Sequence, residues 1–227
     1  MNSQILELPK TTTEVLPEIP LSELNYDDEV IALDCERTTP QGDEGREIIL
    51  EVGLVTAKEQ PFRHYPINPG PNYDDTKYKH RGLSREALKS APKLDDIFLH
   101  ILHAIRGRHV IGWWIEKDLK ELAAGVKNPK QAFDDLINAP SGISDAMDRF
   151  SHYDPALDWR PYKATDGPSG IRGNFYYAQL KEAYKSCRLR PIGPVHLHRA
   201  IPDAILCLLI WAFMDIFHLK KHPALLP

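Results

Sequence analysis

Asp34 and Glu36 flank Cys35 at the end of the apolar run VIALDC. Side chains alternate faces along a strand, so the two carboxylates point the same way. Acids that close on one face repel each other unless a proton or a cation joins them, and hard oxygen donors select Mg²⁺ or Mn²⁺. A third acid, Asp118, stands in HVIGWWIEKDLKEL, in the first turn expected of a helix that follows a strand. The helix dipole favours an acid there in any case. A fourth, Asp203, follows His198 in HRAIPDA. Five steps on an α-helix turn the chain by about 140°, so His198 and Asp203 would not share a helix face. Pro202 resolves this, because proline suits a first helical turn and disfavours helix just before it. His198 is therefore expected on the incoming loop and Asp203 in the first turn, both able to address one cleft.

The elements that must position these groups can be read from the apolar pattern. Residues 1–27, rich in Thr, Pro and Glu, have no periodicity and read as an extended or mobile arm. Three strands follow, at VIALDC, at Glu47–Ala57 and at Phe62–Ile67, as a meander. Helical spacing covers SREALKSAP and KLDDIFLHILHAIRG. RHVIGW is a fourth strand, and IEKDLKELAAG is a helix with Gly125 as C-cap. Gly142–Met147 is a fifth short strand. Asp148–Gly173 is a long segment read as an insertion, NFYYAQLKEAYKSC is a helix, and a last helix starts near Ala200–Pro202 and runs to about Leu219. The expected fold is α/β, a mixed sheet flanked by helices, forming one domain over 28–227.

Composition narrows the function classes. The 227-residue chain is 42% hydrophobic, enough for one domain with a substantial core. A net charge of −4 excludes a strongly basic nucleic-acid binder, but not a nuclease whose carboxylates hold metal and so reverse the local sign. Three widely spaced cysteines, Cys35, Cys187 and Cys207, argue against a disulfide scaffold or zinc ribbon and for a reducing, intracellular setting. The N-terminal stretch lacks the pattern of a secretory signal. The apolar run Ala204–Met214 falls short of the roughly 18 residues a membrane span needs.

Taken in order, ALDCERT, IGWWIEKDLKEL and HRAIPDA resemble the DEDDh (DnaQ-like) 3′→5′ exonucleases, which include proofreading subunits, RNase T and the REX-type RNA exonucleases. EVGLV and HRGLSREALKSAP match family stretches as well, and ALDCE with ISDAM looks closest to the REX-type branch. The resemblance spans roughly residues 29–217 and implies an RNase H-like sheet. One departure is Trp113-Trp114, where the family often carries a polar pair such as His-Asn. Asp148–Gly173 has no obvious family counterpart.

The resemblance implies a two-ion mechanism with single-stranded RNA or DNA as substrate, RNA being favoured. Asp34, Glu36 and Asp203 would hold the ion that activates water. Asp34 would also reach a second ion, which Asp118 supports through water. His198 would act as general base, as an imidazole near neutrality can; His196 competes for that role on proximity. The terminal sugar would lie over Arg37, Thr38 and Thr39, with Leu83 packing against terminal bases. Arg81, with Lys77, Lys79 and Arg85, forms one candidate phosphate track, and Lys181, Lys185, Arg188 and Arg190 another. Trp159, Tyr162 and Phe175–Tyr177 are candidate stacking residues, though the last three, on a helix, fit core packing better. His218 and His222, one turn apart, lack a third metal ligand. Two alternatives stay open: a catalytically silent scaffold of the same fold, and a haloacid-dehalogenase-type phosphatase in which Asp34 is the nucleophile and Asp134-Asp135 the late metal pair.

Overall fold

A computed structural model of the chain describes residues 29–39, 47–58, 62–71, 73, 83–153, 180, 183, 184, 187 and 199–221. The N-terminal arm, His196, His198, Arg81, Lys77, Lys79, the Lys181–Arg190 basic cluster, Trp159, Tyr162, Phe175–Tyr177, His222 and residues 154–173 lie outside them.

Strands β1 (Val30–Thr38), β2 (Ile48–Thr56) and β3 (Arg63–Pro66) form the expected meander. β4 (His109–Gly112) and β5 (Gly142–Asp145) complete a five-stranded sheet in the order β3-β2-β1-β4-β5. The meander pairs are antiparallel, whereas β1–β4 and β4–β5 are parallel. Parallel neighbours need a crossover, and helices supply it. α1 (Arg85–Lys89) and α2 (Leu94–Ile105) lie between β3 and β4; α3 (Ile115–Ala124) and α4 (Pro129–Asn138) lie between β4 and β5. α5 (Ala146–Tyr153) follows β5, and α6 (Ala200–Lys221) closes the described chain.

Both faces of the central strands are covered, so β1 and β2 are apolar almost throughout. On one face Ile31, Leu33, Cys35, Val52 and Leu54 pack with α2, α3 and α4. On the other, Ala32, Val55 and Ile111 pack with α5 and α6. Burial on both sides of α6 explains why that helix is apolar nearly all round, yet no described helix is long and apolar enough to cross a membrane.

The sequence expectations need three amendments. β1 runs on through Glu36 to Thr38, with a register irregularity between Glu36 and Arg37. α4 was not anticipated, because only Ala132 and Leu136 of it are buried and its apolar stripe is thin. The fifth strand stops at Asp145, whose Oδ1 accepts the N–H groups of Met147 and Asp148 at 2.9 and 3.3 Å and so opens α5; the first residues of the expected insertion are thus helical. As expected, Gly125 caps α3, at φ −77°. Its lack of a side chain serves packing there, since a Cβ would lie 2.5 Å from Leu94 Cδ2.

Candidate metal centre

Even-numbered residues of β1 face α6. Ala32 joins the α6 core, and Asp34 and Glu36 continue that row toward the strand's end. Asp203 comes to meet them from the first turn of α6, where its N–H bonds to the Arg199 carbonyl at 3.0 Å. One oxygen from each of Asp34, Glu36 and Asp203 lies within 4.8 Å of the other two. Burial, then Asp118, Asp203 and Glu36 in turn, push the Asp34 carboxyl well above the usual range, against the opposing pull of Arg37. Three crowded hard oxygen donors of this kind suit a divalent cation.

Asp118 occupies a different setting. It falls on the buried stripe of α3, with Ile115, Leu119 and Leu122, and is 0% exposed. Burial raises its pKa to about 7, against the attraction of Arg37 and Lys117 and with the repulsion of Asp145 and Glu121. Arg37 Nη1 lies 3.1 Å from Asp118 Oδ1, but the alignment is not that of a hydrogen bond, and among the described residues neither Asp118 oxygen has a hydrogen-bond donor. Asp118 does not join the tight group of three, though its charge is the largest electrostatic influence on Asp34. Two buried oxygens without donors, next to that group, fit support of a second cation through water.

The remaining sequence candidates divide. Arg37 bridges toward Asp118 and, at 3.9 Å, toward Glu47. Thr38 is buried and Thr39 exposed, at the end of the strand that carries the acids. Leu83 is 5% exposed and packs with Leu50, Tyr73 and Leu88, so it lies in a small core cluster and not on the surface expected for a base contact. Arg85 is drawn onto Tyr73: its Nη2 donates to the Tyr73 carbonyl at 3.0 Å. Asp134 and Asp135 sit on α4, where Asp135 accepts from Gln131, and neither belongs to the acidic group of the described residues.

Sequence reasoning missed Glu51. It lies opposite Glu36 on β2 and is 1% exposed. Arg199 grips its carboxylate with Nη2 at 2.7 Å from Oε1 and Nε at 2.9 Å from Oε2, the Ala200 N–H donates to Oε2 at 3.2 Å, and His64 Nε2 lies 2.5 Å from Oε1. Burial alone would raise its pKa, but the His64, Arg199 and Ala200 contacts outweigh it and pull the group down to about 2. Two positions along, Gly53 lies opposite Asp34, and a Cβ there would sit 2.6 Å from the Ala200 carbonyl carbon. β2 therefore holds the start of α6 twice, by a charge clamp and by a contact only glycine allows. Each holding point faces one metal-binding candidate of β1. The signal in the sequence was the Glu-x-Gly of EVGLV, an acid inside an otherwise apolar strand.

With this geometry in place, the fold is that of the RNase H-like exonucleases, a mixed five-stranded sheet flanked by helices. Escherichia coli Exonuclease I, solved with a dA16 oligonucleotide, superposes with a TM-score of 0.54 at 10% identity, covering 85% of this chain and 43% of that one. Exonuclease I from Methylocaldum szegediense gives a TM-score of 0.54 at 12% identity, over 86% of this chain and 41% of that one. A zinc-bound form of the E. coli Exonuclease I–ssDNA complex gives 0.54 at 9% identity, over 85% and 43%. The chain thus spans less than half the length of these neighbours. No family model and no curated protein sequence matches it.

Proposed function

We propose that this protein is a divalent-metal-dependent 3′→5′ exonuclease acting on single-stranded nucleic acid, with RNA favoured. The observation that carries the reading is the convergence of Asp34, Glu36 and Asp203 to within 4.8 Å in an exonuclease fold. The Exonuclease I neighbours bound to single-stranded DNA, one of them with zinc, support a nucleic-acid substrate and a metal. Two ions, Mg²⁺ or Mn²⁺, would supply charge stabilisation for the attacking and leaving oxygens of phosphodiester cleavage.

The protein's own groups have the following roles. Asp34, Glu36 and Asp203 would hold the ion that activates water, and Asp34 would also serve a second ion, supported by Asp118 through water. Neutral His198, next to the clamped Arg199, accepts the proton of the attacking water on a ring nitrogen. Arg37, Thr38 and Thr39, at the end of β1, receive the terminal nucleotide. Arg81 meets backbone phosphate. The preference for RNA rests on the REX-type look of ALDCE and ISDAM, and the dA16 held by the E. coli neighbour makes the DNA comparison necessary.

The test is degradation of 3′-labelled and 5′-labelled single-stranded RNA and DNA of matched sequence, in Mg²⁺, Mn²⁺ or EDTA. Wild type should give a metal-dependent ladder shortening from the 3′ end. Asp34→Ala should give none, and His198→Ala should bind metal yet lose rate by roughly a hundredfold or more. Wild type that leaves both polymers intact in both metals would move the reading to the silent scaffold, and His198→Ala with normal turnover would remove that residue from the mechanism.

A further inference from the structure

Two tryptophans follow β4, and the fold treats them differently. Trp113 turns inward, its ring 5.9 Å from that of Phe150 in the α5–α6 core. Trp114 is 38% exposed and adopts φ 68°, ψ 46°, the one described non-glycine residue with positive φ. A bulky side chain is strained in that left-handed conformation, whereas glycine or asparagine would adopt it readily. The surroundings hold it there: Asp145 Oδ1 accepts the Trp114 N–H at 3.2 Å, and the Trp114 carbonyl accepts the Lys117 N–H at 3.0 Å to begin α3. The fold thus keeps a large indole at a position that suits a small residue, with more than a third of that residue left in solvent. Strain retained in this way clusters at ligand-binding positions.

The neighbours of the ring say what it could hold. Lys117 Nζ lies 5.1 Å from the ring centroid and 2.7 Å from Glu47 Oε2. Arg37 Nε approaches the same Glu47 oxygen at 3.9 Å, and Arg37 Nη1 lies 3.1 Å from Asp118. An unbroken row of contacts therefore leads from buried Asp118 out to the partly exposed Trp114 ring, over one face of which Lys117 lies, by way of two cations converging on one carboxylate oxygen. Cations spaced beside an aromatic plate are what a single strand needs, phosphate against charge and base against ring.

We propose that Trp114 and Lys117 form a nucleotide subsite at the edge of the metal centre. A base of the single strand stacks on the Trp114 indole, the adjoining phosphate takes Lys117 and Arg37, and Glu47 occupies the phosphate's place until the strand arrives. This rests on the reading of the centre as a nucleic-acid site, but it requires binding only.

The experiment measures quenching of a single-stranded oligonucleotide carrying 2-aminopurine near its 3′ end, in EDTA so that nothing turns over, alongside melting temperatures. Trp114→Ala should weaken binding about tenfold and Trp114→Phe much less. Trp114→Gly should weaken it as much as alanine while melting at or above the wild-type temperature, because glycine relieves the positive φ. Lys117→Ala should weaken binding and flatten its salt dependence, and Glu47→Gln should tighten it severalfold. In Mg²⁺, Trp114→Ala should raise KM with kcat within about twofold. A wild-type affinity for Trp114→Ala would overturn the subsite, as would a Trp114→Gly that melts lower while binding normally, or a wild type that binds no oligonucleotide. Trp114-dependent quenching without cleavage would leave the subsite standing and sink the exonuclease. Robust cleavage with a neutral Trp114→Ala would do the reverse.

Discussion

Glu51 and Asp118 are both buried acids beside the same strand, 1% and 0% exposed, yet one is pulled down to about 2 and the other pushed up to about 7. Burial acts on both in the same direction. The difference is the set of partners. Glu51 receives hydrogen bonds from Arg199 and Ala200 and a short contact with His64, so its charge is matched. Asp118 has the poorly aligned Arg37 and the more distant pull of Lys117, and among the described residues its oxygens accept no hydrogen bond. A folded protein does not retain an under-satisfied buried carboxylate for stability's sake, since such a group costs free energy. The matched acid fastens the start of α6; the other is the kind of buried carboxylate that a cation in the proposed centre would satisfy.

The largest effect expected from breaking this contrast is a pair of stability changes of opposite sign. Glu51→Ala removes the partner of Arg199 and the acceptor for Ala200, and should destabilise by about 2–3 kcal/mol, somewhat less than a fully buried pair because Arg199 reaches some water. It should also lower activity by displacing Asp203. Asp118→Asn should stabilise the metal-free protein at pH 8 by on the order of 2 kcal/mol, part of what a shift from the ordinary aspartate value to about 7 carries. The sign follows from linkage: a carboxyl with a raised pKa contributes stability that is complete below its unfolded value near 4 and is lost as pH rises through about 7. The advantage of asparagine should therefore vanish at pH 4. Urea unfolding at pH 4 and 8 measures both, and an Asp118→Asn protein less stable than wild type at pH 8 would mean that the Arg37 contact satisfies the acid after all.

Smaller, and sharper for function, is the coupling of metal to protons. Asp34 is held well above the usual range and Asp118 at about 7, so a dication entering the centre must displace protons at acidic pH. Mg²⁺ or Mn²⁺ should raise the melting temperature strongly at pH 8 and weakly below pH 6, with affinity falling up to about tenfold per pH unit for each proton displaced. Chelation should return the protein to its metal-free melting temperature. A metal-induced shift of equal size at pH 5.5 and 8 would place the binding elsewhere.

Much of this arrangement was legible in the sequence where the governing rule is local. Period-two alternation put Asp34 and Glu36 on one face, and Pro202 put Asp203 in a first turn. Asp118 was legible as an acid at a helix start, but its burial was not weighed, although it lies in register with Ile115, Leu119 and Leu122. What escaped depends on long-range contact. Arg199 reads as one more basic residue until β2 supplies Glu51, 148 positions earlier. Leu83 reads as a loop residue free to meet a base until Leu50, Tyr73 and Leu88 close round it. The opposite fates of Trp113 and Trp114 follow from a backbone dihedral that no local pattern announces.

The smallest effect concerns how far the Glu51 match depends on each partner. His64 sits on the edge strand β3, with its side chain 35% exposed, and meets the same Oε1 that Arg199 Nη2 holds. If the Arg199 grip and the Ala200 N–H suffice, His64→Ala should cost only about 1 kcal/mol, the net value of one hydrogen bond, and leave the proposed nuclease activity within about twofold. Glu51 would still be depressed, so acid unfolding should keep its shape. A group with a lowered pKa contributes stability that is present above its unfolded value near 4.5 and is lost as pH falls toward about 2, and that limb should shift only slightly in the variant. A His64→Ala protein whose activity falls as far as that of Glu51→Ala would instead extend the fastener across three strands and the start of α6. The placement of Asp203 would then depend on the sheet's outer edge, about as far from the acids of β1 as the meander reaches.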